Sequence, residues 1–85
     1  MAKVEVYATA HCPYCVMAKR FLDSKGIRYT EIRVDLDQGK RQEMLEKSRQ
    51  RTVPQIFINN EAIGGYTDLM TIDKNQRLDS ILAQS

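Results

Sequence analysis

The sequence is poor in the residues that small proteins use as staples. It has two cysteines and a single histidine in 85 residues, which excludes a multi-disulfide framework and leaves too few ligands for a four-coordinate structural zinc site. A bridge between positions 12 and 15 would close a loop worth only roughly 2 kcal/mol, so stability has to come from packed apolar residues. No apolar run approaches the length of a membrane span, and Met1-Ala2-Lys3 leads straight into an alternating segment without a basic and then apolar leader. We therefore read the chain as soluble and cytoplasmic, with no membrane partner. Linkers, repeats and low-complexity runs are also missing, and at this length positions 1–85 make one domain. Charge of one sign is lacking too. With 13 basic and 11 acidic residues the net charge is +2, short of a nucleic-acid footprint. The densest basic group, Lys40, Arg41, Lys47, Arg49 and Arg51, is interleaved with Glu43 and Glu46 and reads as a solvated helix face with ion pairs.

The order of elements is more informative. Val4, Val6 and Ala8 alternate with Lys3, Glu5 and Tyr7 as a strand. A helix follows from Pro13 to about Lys25, with Pro at its first position, Gly26 as its stop, and Cys15, Ala18, Phe21 and Leu22 facing inward. Tyr29 to Val34 alternates as a second strand, parallel to the first through a right-handed βαβ unit. A second helix, about Gln38 to Gln50, has few apolar residues beyond Met44 and Leu45 and should be a mostly exposed cover. Gln55 to Ile58 and Glu61 to Ile63 flank Asn59-Asn60, a pair that tolerates positive φ and so forms a hairpin. Gly64-Gly65 breaks the strand, Thr67 and Asp68 start a helix, and Leu78, Ile81 and Leu82 give it an apolar face, with a split expected near Asp73. The expectation is an α/β fold of order β-α-β-α-β-β-α.

Both cysteines lie in Cys12-Pro13-Tyr14-Cys15, where the first strand hands over to the first helix. In a reducing compartment such a pair is more often catalytic or metal-binding than structural. The thiolate is the attacking species in disulfide exchange. At a helix N-terminus the unpaired amides of Tyr14 and Cys15 and the positive end of the macrodipole favour a negative sulfur at Cys12. Cys15, one turn on, should be more buried. The asymmetry makes Cys12 the attacking thiol and Cys15 the resolving one. Pro13 fixes the first helical φ without wasting an N–H, and Tyr14 should wall the sulfur. Zinc is disfavoured by ligand count, and no metal site is expected. His11 reads as an exposed loop residue, and Met17, Met44 and Met70 as core fillers.

Along nearly its whole length the chain resembles the dithiol glutaredoxins, in particular the short bacterial type. The resemblance is carried by Cys12-Pro13-Tyr14-Cys15, by Thr52-Val53-Pro54 before the third strand, and by Gly64-Gly65-Tyr66-Thr67-Asp68 after the fourth. It implies a thioredoxin fold, a four-stranded mixed sheet flanked by helices, with Pro54 cis beside the sulfurs. It implies glutathione as a co-substrate with no tightly bound cofactor. Val53 would then hold the cysteinyl backbone as an added strand, with Tyr14, Thr52 and Pro54 around it. Gly65 would allow close backbone approach, amides near Thr67 and Asp68 would take the γ-glutamyl α-carboxylate, and the Asp68 carboxylate would take the α-ammonium. Many relatives carry Lys a few residues before the first Cys, where this chain has Thr9. The glycyl carboxylate then falls to Gln38 or Arg41 on the second helix, with Arg41 preferred for its forked donors.

The activity implied is glutathione-dependent reduction of protein disulfides and of protein–glutathione mixed disulfides, by a monomer acting on disulfide-containing or glutathionylated client proteins. A binding role is the competing class, in which two chains share an iron–sulfur cluster through Cys12 and two glutathione molecules. Pro13 argues against it, because cluster-binding relatives more often have small or flexible residues after the first Cys.

Overall fold

Residues 2–83 are described by the computed structural model. The strands and helices are β1 (Val4–Ala8), α1 (Pro13–Ser24), β2 (Thr30–Arg33), α2 (Gln38–Ser48), β3 (Gln55–Ile58), β4 (Glu61–Gly64), α3 (Tyr66–Lys74) and α4 (Leu78–Leu82). The sheet order is β2-β1-β3-β4. β1 is parallel to β2, with Ala8 opposite Arg33, and antiparallel to β3, with Val6 opposite Ile56; β3 is antiparallel to β4. This is the mixed sheet and the order expected, with the last helical region divided in two.

Strand alternation sends the apolar residues to two faces. Val4, Val6, Ala8, Ile56 and Ile58 meet Cys15, Ala18 and Leu22 of α1 and Leu69 and Leu78 of α3 and α4 in the larger core. Burying each large aliphatic side chain there contributes about 1.5–3 kcal/mol. On the other face Tyr7, Phe57 and Val34 pack with Met44 of α2. Tyr7 and Phe57 meet edge to face with ring centroids 5.4 Å apart. The Tyr7 hydroxyl donates to Glu43 Oε2 at 2.6 Å and accepts from Lys47 Nζ at 3.1 Å, and the Lys47 ammonium lies 4.5 Å from the Phe57 ring centroid. A helix with one fully buried apolar residue is thus fastened by a polar anchor. Burial, and then the bond to Glu43, raises the Tyr7 pKa, so this anchor keeps its proton across the physiological range.

Several boundaries move for local reasons. α2 stops at Ser48 because Arg49 takes a left-handed φ of 59° while its N–H bonds to Leu45 O. α3 breaks from α4 at Gln76, φ 60°, where the amides of Gln76 and Arg77 turn back to Asp73 O and Ile72 O. Asn59 and Asn60 both have positive φ, the conformation that a two-residue hairpin requires. β1 and β2, being parallel, end at one edge, and α1 begins there.

Candidate functional site

Cys12 is the N-cap of α1, with extended backbone and Pro13 at the first helical position. Its sulfur accepts the Cys15 N–H at 3.2 Å, and its carbonyl accepts the Val16 N–H at 3.1 Å. An amide of the first helical turn is thus aimed at this sulfur. As a thiol, Cys12 donates to Val53 O at 3.5 Å. Cys15 lies fully inside, at 0% exposure. Burial, and then the hydrogen bond with Cys12, pushes its thiol up to about 12, against a backbone hydrogen bond from Thr9 that acts to lower it. One half-buried sulfur and one buried protonated thiol therefore stand a helical turn apart.

The Val53–Pro54 peptide is cis. The loop before β3 is pinned from within by Gln55, the buried polar residue that opens the strand: its Nε2 donates to Thr52 O at 2.9 Å and to Thr52 Oγ1 at 3.3 Å. The Val53 N–H has no partner among the described residues. Sequence reasoning took Gln55 only as a strand start. Its signal was there, as a carboxamide heading a run of three buried apolar residues, since a buried amide needs partners.

Gly65 caps α3. The Asp68 carboxylate accepts the Gly65 N–H at 2.9 Å, which leaves the Thr67 and Asp68 amides in the first helical turn, where helices have unpaired donors. The glycine that needs its freedom is Gly64, with φ +113°, where an added Cβ would collide with the Asp68 carboxylate. Gly65 has only an ordinary contact there, 3.5 Å from Pro54 O. Gly64→Ala should destabilise the protein by about 1–3 kcal/mol, read from urea unfolding, and should weaken whatever Asp68 binds. A Gly65→Ala change of equal cost would show that space at Gly64 is not the constraint.

A groove of about 380 Å³ runs between these loops. Tyr14, Thr52, Val53, Pro54, Gly65, Thr67 and Asp68, all singled out from sequence, border it, together with Gln50, Gln55, Gly64 and Tyr66. Tyr14, 58% exposed, stacks on Tyr66 with centroids 6.0 Å apart. Cys12 meets this groove through Val53. Arg41 is exposed on the first turn of α2 and is not among the groove's lining residues. His11 is exposed. No helix among the described residues is long and apolar enough to cross a membrane.

A Cys-X-X-Cys pair opening a helix, beside a cis-proline loop on a β2-β1-β3-β4 sheet, defines a thioredoxin-fold thiol oxidoreductase. Residues 4–63 match the glutaredoxin family model. The chain is 46% identical to glutaredoxin 3 of Escherichia coli over 82 residues, covering 96% of this chain and 99% of that one. Its structure is similar to that of a buckwheat glutaredoxin–glutathione complex, with a TM-score of 0.89 at 29% identity over 98% of this chain and 78% of the other. It is also similar to a solution structure of glutaredoxin from Brucella melitensis, with a TM-score of 0.84 at 40% identity over 96% and 89% of the two chains. The chain belongs to the glutaredoxin family, whose members are glutathione-dependent thiol oxidoreductases.

Proposed function

We propose that this protein reduces protein disulfides and protein–glutathione mixed disulfides through a Cys12 thiolate, with Cys15 as the resolving thiol. The observation that carries this reading is the Cys12 sulfur itself, which accepts the Cys15 N–H at 3.2 Å and reaches Val53 O at 3.5 Å beside the groove. On a protein disulfide, the Cys12 thiolate forms a bond to one client sulfur and the other leaves as thiolate. Cys15 then gives up its proton and attacks Cys12, the client's remaining sulfur departs, and a Cys12–Cys15 disulfide is left. Two glutathione molecules restore the dithiol and leave as oxidised glutathione. On a glutathionylated client, Cys12 takes the glutathionyl group and frees the client thiol, and a second glutathione clears Cys12.

In the groove, the open Val53 N–H and the Val53 carbonyl pair with the cysteinyl backbone, and Tyr14, Thr52 and Pro54 flank it. The γ-glutamyl α-carboxylate is held by the amides of Thr67 and Asp68, with Gly65 at the turn, and the α-ammonium by the Asp68 carboxylate. The glycyl carboxylate is taken from the α2 side by Arg41. Lys47, on the same helix, is occupied by Tyr7 and Phe57. Arg41→Ala should therefore raise the apparent KM for glutathione severalfold with kcat little changed, more than Lys47→Ala does. Equal effects would remove Arg41 from the site. In the cell we place the protein in the cytoplasm as a monomer, positions 1–85 forming one domain, because a lone Cys-X-X-Cys pair suits a reducing compartment.

The test is an assay with glutathione as the sole thiol donor, coupled to glutathione reductase and supplied with a glutathionylated client. Glutaredoxin potentials of about −200 to −230 mV allow glutathione to recharge the pair, whereas thioredoxin, at about −270 mV, works with a different reductant. Turnover on glutathione alone supports the reading. Turnover that appears only with thioredoxin reductase would overturn it.

A further inference from the structure

Gln55 opens β3 opposite Tyr7 of β1, and at 3% exposure its carboxamide is shut away from solvent. Strand alternation puts its side chain on the sheet face that carries Tyr7 and Phe57, the face covered by α2. From there Nε2 reaches back to Thr52, donating to the carbonyl oxygen at 2.9 Å and to the hydroxyl at 3.3 Å. Both contacts fall on one residue. The Thr52 carbonyl belongs to the same peptide group as the Val53 N–H. That bond is trans, the cis bond of this loop being Val53–Pro54, and in a planar trans peptide the carbonyl oxygen and the amide hydrogen point in opposite directions. A donor that holds the Thr52 oxygen toward the buried carboxamide therefore turns the Val53 N–H away from it. That N–H has no partner among the described residues, and Val53 borders the groove. The Val53 carbonyl belongs to the next peptide group and takes the Cys12 sulfur at 3.5 Å. One peptide of the loop is thus aimed by Gln55, and the other meets the attacking thiol.

We propose that Gln55 is a positioning residue for the peptide-pairing part of the groove: by fixing the Thr52 carbonyl it aims the Val53 N–H at the backbone of glutathione, and so sets how strongly Cys12 prefers a disulfide that carries a peptide over one that does not. A peptide group left free to rotate has to be ordered each time a substrate pairs with it, and that ordering is subtracted from the binding energy. A peptide already held by a buried side chain is ordered beforehand. Gln55 acts through Thr52 and not on the reacting sulfurs. Its influence is therefore confined to substrates that pair with the Val53 N–H. The inference rests on the pairing of Val53 with glutathione proposed above.

The test compares glutathione disulfide with bis(2-hydroxyethyl) disulfide, which has no peptide group. The reduced full-length protein is mixed with an excess of either, quenched with acid at intervals, and followed by mass spectrometry as the loss of reduced protein. With both reagents the Cys12 thiolate bonds to one sulfur and the other sulfur leaves as thiolate, so the bond chemistry is the same. Gln55→Met keeps the length of the side chain but donates nothing. It should react with glutathione disulfide about fivefold to tenfold more slowly than the unmodified protein, the size of one lost hydrogen bond, and with bis(2-hydroxyethyl) disulfide within about twofold of it. Gln55→Asn, whose carboxamide is drawn back from Thr52 by one methylene, should show the same split, and it stands in if Gln55→Met does not fold. A defect of the fold alone slows both reactions together and leaves the ratio of the two rates where it was. An unchanged ratio in a folded variant overturns Gln55's part. If the unmodified protein reacts no faster with glutathione disulfide than with bis(2-hydroxyethyl) disulfide, the glutathione groove itself fails and this inference with it.

Discussion

Cys12→Ser removes turnover on every substrate, both protein disulfides and glutathionylated clients. Each route begins with the same sulfur, and an alcohol in its place has no accessible anion at neutral pH and no capacity to exchange with a disulfide. The loss should exceed about a thousandfold, as it does when a nucleophile is deleted from other covalent enzymes. The fold should survive, because Cys12 occupies the N-cap of α1 and serine is among the residues that helices prefer there. A urea midpoint equal to or above that of the unmodified protein, together with activity at background in the glutathione-coupled assay, is the expected pair of results. Measurable turnover by a folded Cys12→Ser protein would mean that the attacking group lies elsewhere.

Cys15→Ser separates the two activities. Its thiol is fully buried and pushed up to about 12, so at neutral pH it is a poor nucleophile until Cys12 is part of a mixed disulfide. The pKa is raised, so the neutral thiol persists from neutral pH up toward that value, and an alkylating agent at pH 7 should label Cys12 and spare Cys15. Clearing a glutathionyl group from Cys12 needs only a second glutathione. Cys15→Ser should therefore keep deglutathionylation within about a factor of three while losing most protein-disulfide reduction, since the mixed disulfide with the client no longer resolves internally. A variant inactive on glutathionylated substrate would contradict the one-thiol route, and one fully active on protein disulfides would remove Cys15 from the dithiol route.

Much of this architecture was legible in the sequence because its signals are local. Pro13 after Cys12, Asn59-Asn60 between two apolar runs, and the β-α-β opening each constrain the backbone within a few residues. What was not legible depends on which backbone or side chain each polar group folds onto, near or far along the chain. Gln55 became a buried support only once Thr52 was folded back over it. The Asp68 carboxylate also packs so closely on Gly64 that no Cβ fits there, a constraint the Gly64-Gly65 pair does not assign to either glycine by sequence alone. Thr67 and Asp68 were expected to begin the last helical region, whereas Gly65 is the cap and Asp68 reaches back to it. The hydrogen bond from the Ala10 N–H to Asp35, whose carboxylate Arg33 holds, spans 25 residues and leaves no periodic trace. α2 is the mostly exposed cover expected, with Met44 its one buried residue, but the anchoring of Tyr7 by Glu43 and Lys47, 36 and 40 residues further on, is what sets the helix against the sheet and so fixes where Arg41 stands.

The central claim is that the thiol exchange of Cys12 takes place inside a glutathione groove built by Val53 and by Gly65 to Asp68. It is tested most directly by loading Cys15→Ser with a single glutathionyl group at Cys12 and mapping amide chemical-shift changes by NMR across the chain. The account predicts the largest changes at Val53, Gly65, Thr67 and Asp68, with a smaller one at Arg41 and none along the exposed face of α1. Changes confined to Cys12 and its immediate neighbours, with Val53 and the start of α3 unmoved, would contradict it.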